Sequence, residues 1–79
     1  MTSPSSPRLQ AIFRAVFEMP DGTDVSSLRQ LHTPKWDSLA HVSLVAALES
    51  EFGVSLDASD QMRMTSYAAT EALLQEKAA

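Results

Sequence analysis

Asp37 and Ser38 stand together immediately before an apolar run, and His41 follows three residues later. Two readings fit such residues. A serine with a histidine one helical turn away could be a nucleophile and its base. That pair would also need an orienting group, an oxyanion hole and a substrate cleft. An aspartate and a serine before a helix also make a plain N-cap, whose side-chain oxygen accepts free backbone N–H groups. His32 and His41 with the nearby acids form no recognisable metal set. Cysteine is absent, which removes thiolate sites and disulfides.

The elements that must position these residues can be read from apolar spacing. Ser6-Pro7 reads as an N-cap with proline in the first helical position. Leu9, Ile12, Phe13, Val16 and Phe17 then form one stripe of a helix that Pro20 should end. Residues 19–36 form a long connection, in which Val25, Leu28 and Leu31 recur every third residue and suggest a short helical turn pinned to the core. Thr33-Pro34 argues against its continuing. A second helix is predicted from Asp37 or Ser38 to Gly53. Leu44, Val45, Leu48 and Phe52 face inward, with His41 one turn earlier, while Leu39, Val42, Ala46 and Ala47 point partly outward. Val54-Ser55-Leu56 alternates but has no strand to pair with. Asp57 should cap a short third helix reaching Arg63, and Thr65 a last helix reaching Glu76. The pattern predicts an all-α bundle of three main helices and one short one after a long first loop.

A chain of 79 residues fits one small domain. Domains of this size bury only about 60% of the surface of the unfolded chain, so deep, water-excluding sites are hard to build. Hydrophobic residues make up 44%, which is enough for a folded core. The net charge of −4 argues against nucleic acid as a partner. Between Asp37 and Asp60 lie five acids and no Lys or Arg, so this segment carries −5 and the rest +1. An acidic middle suits a basic partner. No apolar run reaches the length of a membrane span. The Ser/Pro-rich start has no apolar signal region, so a cytoplasmic protein with a frayed start over residues 1–6 is expected. The methionines beyond the initiator are expected as core filler.

The stretch Trp36-Asp37-Ser38-Leu39, with the following Ala40-His41-Val42-Ser43-Leu44-Val45-Ala46-Ala47-Leu48-Glu49-Ser50-Glu51-Phe52-Gly53-Val54, closely resembles the acyl carrier protein family. That family has an Asp-Ser-Leu motif at the start of its second helix, followed by a Leu-Val-x-Ala-Leu-Glu-x-Glu-Phe run at this spacing. The resemblance extends from about Leu9 to Leu74 and is firmest from Asp37 to Phe52. It implies an acyl-carrier-like four-helix bundle over residues 7–79. It also implies that Ser38, flanked by Asp37 and Leu39, receives 4′-phosphopantetheine from coenzyme A through a separate transferase. The arm's thiol would hold acyl groups as thioesters for acyl-loading and acyl-processing enzymes. On this resemblance the chain is a monomeric carrier and not itself an enzyme.

Departures from the family pattern sharpen the expectation. Trp36 stands where many fatty-acid carriers have a small residue, so it either packs on the loop or offers partners an aromatic contact. Ala40, Ser43 and Ser50 stand where the most acidic members carry carboxylates. The expected partner surface is therefore Trp36, Leu39, Ala40, Val42, Ser43, Ala46 and Ala47, with Glu49 and Glu51 as charges at its far end. A specialised acyl or polyketide-type pathway is expected. The alternatives are general fatty acid synthesis and a carrier-fold interaction domain that is never loaded.

Overall fold

The computed structural model describes residues 6–78, and four α-helices and one 3-10 turn make up its regular structure. The helices are α1 (Ser6–Val16), α2 (Ser38–Phe52), α3 (Ala58–Arg63) and α4 (Tyr67–Ala78), with the 3-10 turn at Gln30–His32. The expected all-α class holds. Arg29 and Ser66 form an isolated antiparallel bridge, and no strand occurs among the described residues. Of the frayed start expected over residues 1–6, residues 1–5 lie outside the described residues. Ser6 is already helical.

The stripe on α1 buries Leu9, Phe13 and Phe17 completely and half-buries Ile12 and Val16. Its helix ends at Val16, earlier than Pro20 requires, because Glu18 turns left-handed at φ 56°. The Met19 N–H donates to the Arg14 carbonyl at 2.8 Å and the Glu18 N–H to that of Ala15 at 3.4 Å. These two bonds satisfy carbonyls that the helix end would leave without partners.

Around Phe13 the core is aromatic. Phe13 meets Tyr67 at 4.9 Å and Trp36 edge-on at 5.6 Å between ring centroids, and Phe17 lies 5.0 Å from Trp36. Such offset and edge-to-face pairs are preferred by the ring quadrupoles. Met64, just after α3, and Leu73 and Leu74 of α4 close the core, and Leu56 does so without forming a strand. Met62 is 80% exposed and so departs from the core-filler expectation. In the connecting loop Val25 is buried and Leu28 half-buried, as expected, but Leu31 is 94% exposed. The turn forms over Gln30–His32 instead, where the Gln30 N–H reaches the Thr65 carbonyl and the Tyr67 N–H the Leu28 carbonyl. Backbone pairing with the α3–α4 connection therefore fixes this segment, and Leu31 is left outside.

Asp57 caps α3 as expected, in a reciprocal capping box with Asp60 at 2.8 and 3.2 Å. The cap of α4 is Ser66 and not Thr65: the Ser66 hydroxyl accepts the Ala69 N–H at 3.0 Å. Thr70, fully buried, donates its hydroxyl to the Ser66 carbonyl at 2.8 Å. Lys77 reaches Asp60 at 2.7 Å, and Arg63 grips Glu76 at 2.7 Å, so two ion pairs tie α3 to α4.

Hydrogen bonding from Lys77 holds the Asp60 carboxyl below its ordinary range, and hydrogen bonding from Arg63 does the same for Glu76. Groups lowered in the folded state contribute stability that is present above the unfolded carboxylate range and lost as pH falls through the lowered values. These two carboxylates should therefore contribute constant stability from neutral pH down to about pH 4 and progressively less below it, which urea melts at a series of pH values would show. Lys77→Met, which leaves Asp60 without its cation, should lower stability at neutral pH and make the acid decline shallower, so that variant and parent converge at low pH.

Candidate functional site at the start of α2

Ser38 is the first residue of α2, and its side chain is exposed. Asp37 holds extended backbone before it, with φ −94° and ψ −174°, and its carboxylate accepts the Ala40 N–H at 2.9 Å. The helix carries no acid within its first turn. A negative group on Ser38 would thus meet free N–H groups and the positive end of the helix, with Asp37 as the nearby carboxylate. At the other end Gly53 takes φ 64°, a conformation that costs glycine little, and its N–H donates to the Glu49 carbonyl at 3.0 Å.

α2 is oriented as its spacing predicts. Leu44 and Leu48 are fully buried and Val45 nearly so, while Leu39 and Val42 are 76% and 64% exposed. Phe52 is half-buried beneath the Arg8 guanidinium, 4.8 Å above its ring. Of the expected partner surface, Leu39, Val42, Ser43 and Ala46 are exposed together on α2, whereas Ala40 and Ala47 are half-buried.

The packing gives three of the expected partner residues contacts within the fold. Trp36 is only 3% exposed, wedged between Phe13, Phe17 and His41, so it is a core residue and no surface contact. Glu49 accepts the Leu56 N–H at 2.9 Å and so pins the chain leaving α2. Glu51 is held by Arg8, which donates to its carboxylate at 2.9 Å and to its carbonyl at 2.6 Å. The α2 exit and the α1 start thus converge on these two carboxylates, and Glu51 stays exposed beside Arg8.

His41 is half-buried, and both its ring nitrogens are engaged away from Ser38. The Trp36 indole N–H donates to Nδ1 at 3.0 Å, and Nε2 lies 3.0 Å from the Gln61 carbonyl. Among the described residues no cluster of histidine and acid side chains could hold a metal ion. Two open clefts flank the site. One, of about 290 Å³, is lined by Val16, Phe17, Lys35, Asp37, Leu39 and Ser43. The other, of about 370 Å³, is lined by Gln30, His41, Ala58, Gln61 and Met62. Sequence reasoning missed the parts of Lys35 and Met62 here, since both depend on how the loop and α3 are laid against α2.

The fold and site together define a small all-α bundle that displays a serine at a capped helix start. No family model, no curated protein and no solved structure matches the chain. No helix of the described residues is long and apolar enough to cross a membrane.

Proposed function

We propose that the chain is a cytoplasmic, monomeric carrier whose Ser38 bears 4′-phosphopantetheine, serving a specialised acyl or polyketide-type pathway. The observation that carries this reading is the placement of Ser38: exposed, first in a capped helix, in the motif Asp37-Ser38-Leu39 that resembles acyl carrier proteins. The residues present suit the arm. A phosphodiester on Ser38 gains from the helix N-terminus, and nothing need bury the hydroxyl or activate it within this chain. When bound, the arm supplies a thiol on which acyl groups are held as thioesters. The chain's own residues present it: Asp37 fixes the helix start, and Leu39 flanks it. The experiment is incubation with coenzyme A, magnesium and a phosphopantetheinyl transferase, followed by mass spectrometry. A gain of one arm is expected. No gain with any of several transferases would favour the alternative of a never-loaded interaction domain.

Exposed Leu39 and Val42 favour a partner surface with an apolar centre on α2. With Ala40, Ser43 and Ser50 uncharged on this face and Glu49 and Glu51 already engaged by the Leu56 N–H and Arg8, charge contributes less to binding than in strongly acidic carriers. Ala46→Asp should raise the dissociation rate from the transferase about tenfold, equivalent to ~1.4 kcal/mol. Its association rate should change little across a salt series. Surface plasmon resonance would measure both rates, and a steep salt dependence with no effect of Ala46→Asp would overturn the apolar centre.

A further inference from the structure

The hydrogen bonds of His41 fix its tautomer. The indole N–H of tryptophan is a donor only. Because Trp36 donates to Nδ1 at 3.0 Å, Nδ1 carries no proton, and Nε2 must carry it and donate to the Gln61 carbonyl at 3.0 Å. The two rings also lie nearly parallel, at 25° with centroids 6.3 Å apart. Neutral His41 thereby links three pieces of chain: the residue two before Ser38, the first turns of α2, and α3.

Protonation would place a second N–H on Nδ1, facing the indole N–H. The link to Gln61 survives this change, but Trp36 loses its acceptor. No charged side chain lines the cleft where His41 meets Gln30, Ala58, Gln61 and Met62. The charged groups of the surrounding elements are occupied elsewhere. Asp37 caps α2, Lys35 leans toward Glu18 at 3.9 Å, and Asp57 and Asp60 close the α3 cap. Asp60 also holds Lys77, and Arg63 holds Glu76. Arg29 and His32 line a separate cleft with Thr65 and Ser66, and Arg14 of α1 donates to the Thr23 carbonyl.

We infer that His41 is an acid-sensitive clamp: neutral, it accepts the Trp36 indole N–H and ties α3 to the Ser38 end of α2, and protonated, it gives up the indole bond while Trp36 stays packed on Phe13 and Phe17. Histidine is the side chain that ordinarily changes charge between about pH 5 and 8. The clamp does not depend on Ser38 being loaded.

Trp36 is the chain's one tryptophan, so its indole N–H gives one resolved NMR signal. In the unmodified protein that signal should move upfield between pH 8 and 5, in a single transition whose midpoint matches that of the His41 ring protons. The helical circular dichroism should stay constant over the same range. His41→Asn keeps an acceptor near the Nδ1 position without a titrating ring, and its indole signal should stay still. An indole signal that does not respond while His41 titrates would overturn the clamp. So would a His41 ring that stays neutral down to pH 5, or a transition that persists in His41→Asn. Loss of helical signal at the same midpoint would overturn it too, since the event would then be unfolding.

Discussion

Ser38→Ala should abolish the gain of mass on incubation with coenzyme A and a transferase while leaving the fold unchanged. The side chain is exposed at the first position of α2 and fills no part of the core. Surface substitutions of this kind usually alter stability by less than about 0.5 kcal/mol, and alanine is a good helix former. Unchanged circular dichroism and urea midpoint would show that loss of loading is loss of the attachment point. Asp37→Asn refines the test. Asparagine caps helices about as well as aspartate, so α2 should persist. A slower loading rate in Asp37→Asn would then report the carboxylate's part in the transfer and not the stability of the helix. Exposed Ser43, Ser50 and Ser59 are internal controls, because an arm mapped by peptide mass spectrometry to any of them would refute the role of Ser38.

The second large effect concerns which face of α2 holds the bundle together. Leu48 is fully buried among core residues, so Leu48→Ala removes apolar contacts and leaves a cavity. Changes of this kind cost about 2–5 kcal/mol. Against a typical domain stability of roughly 5–15 kcal/mol, that is a large share. Leu39→Ala, at a residue 76% exposed, should cost about 0.5 kcal/mol or less. Phe52→Ala should fall between the two, because its ring is half-buried and covered by Arg8. Urea melts of the three variants give the comparison. Equal losses for Leu39→Ala and Leu48→Ala would mean that α2 presents a different face to the core.

The parts of the site legible in the sequence are those governed by near neighbours along the chain. Asp37 caps a helix whose acceptor and donor lie three residues apart, and Gly53 ends it through its own backbone freedom. The inward set Leu44, Val45 and Leu48 follows from a period of 3.6 residues, which a short helix obeys whatever surrounds it. The same local logic gave Asp57 as the α3 cap. It misassigned the α4 cap by one residue, since Thr65 and Ser66 are both competent caps. The choice between them was made by pairing with the distant loop: Thr65 gives its carbonyl to Gln30, and Ser66 bridges to Arg29.

What the sequence by itself determined, then, is the helical class, the orientation of α2 and the exposed serine at its start, because these rest on interactions within a few residues. The tertiary structure alone decided the rest. Trp36 could have faced a partner, but Phe13 and Phe17 of α1 offered it an apolar seat and His41 an acceptor for its N–H. Glu49 and Glu51 look like free surface charges in the sequence, yet folding brings the Leu56 N–H and Arg8 to them. Leu31 shares the spacing of Val25 and Leu28 but is left in solvent, because the backbone bonds of Gln30 and Leu28 to the α3–α4 connection set the path of the loop. Each of these outcomes depends on groups far apart along the chain, whose meeting local spacing does not encode.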